Sequence, residues 1–333
     1  MTGNQRPGNG HAKRPVFGLL GDTFNLVCRR IAQPPSLSQL PRVLSEGVGP
    51  FRRLIVEARH HQEIRGLLES GSDVTFISSF FRSGNTWTRF LLADILLQKR
   101  GIETSTADAS RASEIVPDVY VDPMVLRSAG RDDPALVKKH ETFDTVRRCL
   151  TPNNGRGAGA IGGKGEVRSL YLYRKPEDVL VSYYLYRLLR APGVGRWIGL
   201  ESFCRSEFHA WVRHVSSYLR GADEGAEVFF MSYERLLEEP ATALRLILRW
   251  LKIEHTTANI DRAVANLRFE KLRAMEESQR ENAGEYFFRN GRANTGVSEL
   301  SAECACWIRA AAEAILARAE KRAKLSQSAI AAP

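Results

Sequence analysis

The chain has 333 residues, of which 43% are hydrophobic and 26% charged, a balance typical of one large α/β domain or two small ones. Its formal net charge of +10 favours anionic partners but does not choose among nucleic acid, anionic lipid and a phosphorylated small molecule. No run of residues approaches the roughly 20 apolar positions that a membrane-spanning helix needs.

Cysteine and histidine usage indicates neither a disulfide framework nor a metal site. The five cysteines are an odd number, form no CxxC pair and do not cluster with the seven histidines. Near the N-terminus, Lys13 and Arg14 precede an apolar run, Val16–Leu20, that is too short for a signal peptide. We therefore expect reduced cysteines, no metal and a cytoplasmic location.

The first part of the chain divides into an arm and a strand–loop–helix unit. Residues 1–50 are rich in Gly, Pro and polar residues, which predicts a flexible N-terminal arm ahead of a domain over residues 51–325. The β-prone run Val74–Ser78 predicts a strand, and apolar residues at helical spacing predict a helix over Thr86–Gln98. The segment Phe81–Asn85 is the polar loop between them.

The same rhythm returns later in the chain. Ser169–Tyr173 is typical of a buried strand, and Pro176 followed by two acidic residues opens a helix. Val228–Tyr233 predicts a further strand, Ala241–Leu251 a helix, and the Ala-rich tail Glu299–Lys324 a packing helix. Strands that alternate with helices predict an α/β fold with a central parallel sheet covered on both faces.

Residues 151–165 contain two imperfect nucleotide-binding patterns. Three glycines satisfy GxGxxG, and Gly163-Lys164 mimics the end of a Walker loop. A functional fingerprint leaves a strand and opens a helix, whereas here a predicted strand follows the glycines and neither Ser nor Thr follows Lys164. We interpret this segment as a flexible surface loop.

The loop between the first strand and helix has the composition of an anion site. Backbone N–H groups at a helix start point at one spot, Arg82 adds a positive charge, and Gly84 lets a phosphate approach the backbone. Three residues add side-chain donors: Ser83, Asn85 and Thr86. The alternative is a helix start capped by Ser83 or Asn85 with Arg82 on the surface, and the loop alone does not decide.

This loop resembles a known one. RSGNTW, residues 82–87, resembles the phosphosulfate-binding loop, usually written PKSGTTW, of sulfotransferases that use 3′-phosphoadenosine-5′-phosphosulfate (PAPS). Phe81-Arg82 replaces Pro-Lys, and arginine keeps the charge while offering a bidentate fork. The resemblance implies that Arg82, Ser83, Gly84, Asn85 and Thr86 bind the donor.

A second segment, Tyr171–Tyr184, resembles the part of the family that binds the 3′-phosphate of the donor. There an Arg at a strand end and a Ser eight residues later hold the phosphate, and Arg174 and Ser182 have that spacing. The alternative is that Arg174 pairs with Glu177 or Asp178. Two motifs in the same order as in the family, on the same kinds of element, favour the phosphate site.

A third segment, Val137–Glu141, resembles the KTH segment of the family. The resemblance implies that His140 is the general base and that Lys138 stands beside the transferring sulfuryl group. Glu141 is an alternative base or an orienting partner. A lone histidine is otherwise more often a packed or surface residue.

The adenine side and the closing loop have weaker matches. Tyr233 in SYERL matches the tyrosine that reaches the adenine region, and Trp87 and Phe269 fall where family members stack on adenine, although both could be core residues. Three residues resemble the RKG loop that closes over the 3′-phosphate: Arg289, Asn290 and Gly291. The GDW that follows in the family is absent, and Ala293–Val297 stands in its place.

The resemblance implies a single α/β domain related to P-loop nucleotide kinases, the sulfotransferase fold, with PAPS as co-substrate and no metal. Two rival functions remain. An ATP- and magnesium-dependent phosphotransferase needs a GK[ST] loop, and a non-catalytic basic nucleic-acid or membrane-surface protein needs clustered Lys/Arg with interleaved aromatics, whereas the charges here are dispersed. We expect no nucleic-acid partner, and a homodimer stays open.

The acceptor, a small molecule or a saccharide, has no signature in the sequence. Specificity is expected in the loops 103–135 and 187–200. An apolar pocket could use aromatic residues: Phe80, Tyr184, Tyr186 and Trp197. An acidic saccharide could use arginines instead: Arg187, Arg190 and Arg196.

Overall fold

The computed structural model describes residues 61–103, 109–118, 134–150, 165–190, 199–278 and 291–331. The predicted arm, residues 1–50, and most of the glycine-rich segment 151–165 lie outside the described residues. The strands are β1 (Val74–Ser79), β2 (Ala135–Lys139), β3 (Val167–Tyr173) and β4 (Val228–Ser232). The helices are α1 (61–69), α2 (Asn85–Lys99), α3 (Ala109–Ile115), α4 (Phe143–Leu150), α5 (Pro176–Arg190), α6 (Leu200–Asp223), α7 (Tyr233–Glu238), α8 (Pro240–Leu251), α9 (Thr257–Asn266), α10 (Phe269–Ser278) and α11 (Ala302–Ala331), with a 3-10 turn at Val297–Glu299.

The four strands form a parallel sheet in the order β2-β1-β3-β4. This arrangement confirms the predicted α/β fold with a central parallel sheet. β1 is an inner strand, and all six of its residues are buried. Because the chain leaves β1 toward β2 on one side and later enters β3 on the other, the crevice beside the carboxyl end of β1 is where a ligand is expected to bind.

Both faces of the sheet carry a hydrophobic core. In β3, Leu170 and Leu172 point into a cluster shared with α2 and α8, whereas Tyr171 and Tyr173 point into a cluster shared with α5, α6 and α11. Successive strand residues face opposite sides, so a strand between two helical layers is apolar at every position. This explains why SLYLY in the sequence is a continuous apolar run rather than an alternating one.

Several predicted element boundaries change. The predicted strand Val228–Tyr233 ends at Ser232, whose hydroxyl accepts a hydrogen bond from Arg235 N and caps α7, so that Tyr233 is the first residue of a helix. The predicted acceptor loops are helical in part, since α3 lies within residues 103–135 and α5 extends to Arg190. One strand and seven helices were not predicted as such: β2, α1, α3, α4, α6, α7, α9 and α10.

Candidate active site

The residues singled out by the motifs follow the carboxyl ends of the four strands. The loop 80–84 follows β1, His140 follows β2, Arg174 follows β3 and Tyr233 follows β4. Because the strands are parallel, these ends lie along one edge of the sheet. The fold thus gathers residues that are up to about 150 positions apart in the sequence.

The loop after β1 presents an uncapped helix start. Gly84 is the N-cap of α2, no side chain of the described residues caps this end, and Gly84 and Arg82 both have positive φ angles, of 92° and 63°. A Cβ on Gly84 would lie 2.6 Å from Cδ2 of Tyr233, so that only glycine fits against this ring. The alternative interpretation, a cap by Ser83 or Asn85, is therefore not observed, and the N–H groups at the start of α2 are available to an anion.

Ser83 and Asn85 differ in what their side chains do. The Asn85 amide nitrogen donates to Ile77 O, Ser79 Oγ and Lys139 O, at 3.0, 3.2 and 3.2 Å, and thereby ties the ends of β1 and β2 together. The Ser83 hydroxyl is buried and has no hydrogen-bond partner within the described ranges. The amide nitrogen of Asn85 is thus occupied inside the protein while its amide oxygen is buried without a partner in the described ranges, and Ser83 has an unused donor.

Arg82 joins the two predicted phosphate motifs. Its Nε donates to Ser182 Oγ at 3.1 Å, and Arg174 Nη1 donates to the Arg82 carbonyl oxygen at 3.2 Å. Burial, and then the positive charge of Arg174, lower the pKa of Arg82 from 12.5 to about 10, so the guanidinium remains charged at neutral pH. Two guanidinium groups held close together in a buried place favour the binding of an anion between them.

Arg174 has several contacts besides Arg82. Its guanidinium lies 4.2 Å from the centre of the Tyr233 ring, and its Nη2 lies 3.4 Å from Asp178 Oδ2 and 3.3 Å from Arg292 O. The alternative pairing of Arg174 with Asp178 is therefore present in the structure. Arg174 Nε is nevertheless buried without a partner within the described part of the chain. Arg174 Nε can therefore donate to a ligand while Nη2 is paired with Asp178.

The segment that stands in place of GDW is anchored on the start of α5. The two carboxylate oxygens of Asp178 accept hydrogen bonds from Asn294 N and Gly296 N, both at 2.7 Å, and Lys175 Nζ donates to Asn294 Oδ1 at 2.9 Å. A Cβ on Gly296 would lie 2.3 Å from Glu177 O, so this close approach requires glycine. Arg289 and Asn290 lie outside the described residues.

Of the three predicted adenine-site aromatics, Trp87 and Tyr233 lie near each other, and Phe269 packs on the closing segment. Trp87 Nε1 donates to Leu267 O at 3.0 Å, and its ring lies edge-on to Tyr233 at 6.5 Å. Phe269 begins α10 and packs on Gly291, where a Cβ would lie 2.3 Å from the Phe269 ring. Gly291 thus brings the closing segment to the aromatic that the resemblance assigns to adenine.

The imidazole ring of His140 is fixed by a hydrogen bond and by stacking on Phe81, in the loop after β1. Its Nδ1 lies 2.9 Å from Ser79 O, which can only accept, so that Nδ1 carries the proton of the neutral ring and the lone pair is on Nε2. The ring stacks on Phe81 with a centroid distance of 4.8 Å. Burial, and then the positive charge of Lys138, lower the pKa of His140 to about 3, so that the ring is neutral at physiological pH.

Lys138 has a carboxylate partner that sequence reasoning missed. Lys138 Nζ lies 2.6 Å from Asp118 Oδ2, and both side chains are buried. Asp118 follows Pro117 in a segment of ordinary composition, and nothing in its sequence context indicated a role. Its contact with Lys138 arises because residue 118 forms a parallel bridge with residue 138 beside β2.

Metal-ligand clusters and membrane-spanning helices are both absent from the described ranges. Among these residues, His, Cys, Asp and Glu side chains do not come together in threes in a way that could hold a metal ion. None of the described helices is long and apolar enough to cross a membrane.

Comparison with known proteins agrees with the motifs. The family model for the sulfotransferase domain matches residues 72–305. Sulfotransferase 1B1 of the dog is 26% identical over 215 residues, covering 61% of this chain and 67% of that protein, and cytosolic sulfotransferase 10 of Arabidopsis thaliana is 27% identical over 258 residues, covering 68% and 73%.

Solved structures similar to this chain include retinol dehydratase in a complex with retinol and PAP, with a TM-score of 0.48, 18% identity and coverage of 78% of this chain and 86% of that one. A mouse sulfotransferase complexed with PAP has a TM-score of 0.48, 14% identity and coverage of 80% and 92%. The family match spans more than half of the chain and contains both phosphate motifs and the histidine segment described above. The chain therefore belongs to the PAPS-dependent sulfotransferase family.

Proposed function

We propose that the protein transfers the sulfuryl group of PAPS to a hydroxyl or amine of a small-molecule or saccharide acceptor at the carboxyl edge of the sheet. The observation that carries this proposal is the meeting of Arg82 with Ser182 and Arg174. These residues come from three separate elements and bring cationic and hydroxyl donors to one place. An adenosine carrying both a 3′-phosphate and a 5′-phosphosulfate has two anionic groups to match them.

The proposed donor-binding roles are those that the motifs imply, and the described residues lie along this edge in a way that supports them. The start of α2 and the buried Ser83 hydroxyl would hold the 5′-phosphosulfate, with Arg82 beside the leaving phosphate oxygen, where charge builds up during transfer. Arg174 and Ser182 would bind the 3′-phosphate, together with Arg289 and the segment from Gly291. Aromatic residues would contact the adenine: Trp87, Tyr233 and Phe269.

His140 is proposed as the general base. With Nδ1–H bound to Ser79 O, the ring presents Nε2 to the acceptor and removes its proton as the acceptor oxygen or nitrogen bonds to sulfur. The bond from sulfur to the phosphate oxygen breaks, and 3′,5′-adenosine bisphosphate leaves. Lys138, held by Asp118, would offset charge on the transferring group.

A thermal-shift series tests the donor assignment without knowledge of the acceptor. 3′,5′-Adenosine bisphosphate should raise the melting temperature by several degrees, because a ligand at a hundredfold excess over its dissociation constant stabilises the native state by about 2.7 kcal/mol. AMP, which lacks the 3′-phosphate, should do much less. Equal shifts from the two nucleotides would contradict the proposal, and a response only to ATP with magnesium or to oligonucleotides would favour the rival functions.

A further inference from the structure

One face of α6 contacts the turn that carries His140. His214 Nε2 lies 3.1 Å from His140 O, and the Tyr218 hydroxyl donates to Glu141 O at 3.0 Å. On the same face, Ser217 Oγ accepts a hydrogen bond from Phe143 N at 3.0 Å. Residues spaced by three and four positions lie side by side on a helix, so that α6 holds three backbone groups of this turn: His140 O, Glu141 O and Phe143 N.

The hydrogen bonds around His214 have a defined direction. A carbonyl oxygen only accepts, so His214 Nε2 carries a proton and donates it to His140 O. Nδ1 of the neutral ring is then an acceptor, and it lies 2.9 Å from the Tyr171 hydroxyl, which donates to it. Burial lowers the pKa of His214 to about 4 and raises that of Tyr171 well above 10, so both groups keep these protonation states at neutral pH.

His214 is enclosed by parts of the molecule that carry the proposed chemistry. Its ring lies edge-on to Phe80, at 5.7 Å, in the loop that follows β1, and stacks on Tyr171 of β3. It is 4% exposed, so that it does not reach an acceptor from the surface. β2 ends at Lys139, one residue before His140, and the turn therefore begins where the pairing of the sheet stops.

We propose that His214 is a positioning residue for His140, acting through the Tyr171–His214–His140 hydrogen-bond chain. His214 fixes the backbone of the turn, while Ser79 O fixes the imidazole of His140, and together they aim Nε2 of His140 at the acceptor. This inference rests on the proposed role of His140 as the base. A displacement of about 1 Å in a catalytic group can reduce the rate on the order of a hundredfold. Loss of the hydrogen bond from His214 could therefore reduce turnover by up to about that factor.

Substitutions at position 214 test the proposal. His214→Leu removes the donor, and we expect kcat to fall between about tenfold and a hundredfold while the dissociation constant of 3′,5′-adenosine bisphosphate changes less than about twofold. His214→Gln should recover part of the loss, because its amide nitrogen can donate to His140 O. Tyr171→Phe, which removes only the donor to His214, should give a smaller fall in kcat and serves if His214→Leu does not fold.

The matched control is His209, which lies five residues earlier on α6 and is exposed. His209→Leu and His209→Gln should leave kcat unchanged. Folding of each variant is checked by its melting temperature in the absence of ligands.

A second readout needs no turnover. Nitrogen-15 NMR of the histidine rings should show His140 as the Nδ1–H tautomer in the wild type and a mixture of tautomers in folded His214→Leu. A folded His214→Leu protein with unchanged kcat and an unchanged His140 tautomer would overturn the positioning role. Full turnover by His140→Ala would instead refute the base assignment, and the NMR result would still report whether His214 orients the ring.

Discussion

The Nε of Arg82 lies 3.1 Å from the hydroxyl oxygen of Ser182, although the two residues are 100 positions apart in the sequence. Arg82 follows β1, and Ser182 lies in the second turn of α5, the helix that follows the neighbouring strand β3. The contact makes the proposed sites for the two ends of the donor parts of one cluster. A change in Arg82 should therefore affect both transfer and nucleotide binding.

Arg82→Ala should reduce kcat by at least about a hundredfold, the scale for losing one preorganised charge-stabilising group. Arg82→Lys should be milder, because the cation is kept and the family's usual residue is restored, although lysine lacks the fork that reaches Ser182. Initial-rate kinetics with labelled PAPS and an accepted hydroxyl compound measure both effects. Near-normal turnover by Arg82→Ala would contradict the loop assignment.

Ser182→Ala should narrow the difference in thermal shift between 3′,5′-adenosine bisphosphate and AMP, because it removes the hydroxyl proposed to contact the 3′-phosphate, together with the acceptor of the Arg82 Nε hydrogen bond. Ser206→Ala is the matched control, since Ser206 is an exposed helical serine whose hydroxyl bonds its own helix at Phe203 O. Arg174→Ala should narrow the difference further and also destabilise the fold, because it leaves the buried Asp178 without its cation. An unchanged difference in Ser182→Ala would remove this serine from the site.

Gly84→Ala should abolish the nucleotide-induced thermal shift and lower the melting temperature. The new Cβ would lie 2.6 Å from the Tyr233 ring at a backbone φ of 92°, so the loop or the tyrosine must move. Gly66→Ala is the control, because a Cβ there meets nothing within 4 Å and the residue lies in α1. It should keep the shift and leave stability equal or slightly higher. Normal nucleotide binding by Gly84→Ala would show that the loop is not the phosphate site.

The sequence predicted the strands that are apolar throughout and the loops whose residues form a motif. β2 was not predicted because its last residues, Lys138 and Lys139, are of a type usually found on the surface. In the fold, Lys138 forms an ion pair with Asp118, and Lys139 Nζ donates a hydrogen bond to His61 Nε2 at 2.8 Å. Neither partner is close in sequence, so local pattern could not reveal that these lysines are buried. Tertiary contacts override propensity at such positions.

The sequence indicated which residues form the candidate site but not which of them are hydrogen-bonded to one another. The spacing of Arg174 and Ser182 indicated a shared anion, yet their common neighbour Arg82 is evident only once β1 and β3 are paired. Asn85 shows the opposite case, since it matched the loop motif while its amide bonds the ends of two strands. A motif indicates which residues come together, whereas the direction of each side chain depends on the packing around it.

The free energy of unfolding should decrease as the pH is lowered from about 7 to about 5. In the folded state burial holds the pKa of His140 near 3 and that of His214 near 4, whereas both groups titrate near 6.5 when solvated. Between those values the unfolded chain binds protons that the native state does not, so each histidine contributes a loss of up to about 1.4 kcal/mol per pH unit. Urea unfolding at several pH values measures the slope.

The slope of the free energy of unfolding against pH should be smaller in His214→Gln, because glutamine does not titrate. It should be unchanged in the exposed control His209→Gln. Acidic residues add their own effect at lower pH, and the comparison is therefore confined to pH values above about 5. A free energy of unfolding that stays constant between pH 7 and pH 5 would mean that neither histidine is buried in its neutral form.

Gly296→Ala should weaken the binding of 3′,5′-adenosine bisphosphate without affecting that of AMP. The Cβ would lie 2.3 Å from Glu177 O and 2.8 Å from Asp178 Cα, so the closing segment would have to move away from the start of α5. That movement breaks the bonds from Asn294 N and Gly296 N to Asp178 and removes Arg292 O from Arg174. Because Arg174 and this segment are proposed to bind the 3′-phosphate, the loss should appear only with the nucleotide that carries it.

Asp178→Asn provides an independent way to release the same segment. An amide offers one acceptor oxygen where the carboxylate offers two, so that one of the two backbone N–H groups loses its partner. Gly199→Ala is the control for adding a methyl group, since nothing lies within 4 Å of a Cβ at that position. Calorimetric titration with both nucleotides should show a weaker affinity for the bisphosphate in Gly296→Ala and Asp178→Asn and unchanged values in Gly199→Ala. If both variants bind the bisphosphate as the wild type does, the segment that replaces GDW does not close over the 3′-phosphate.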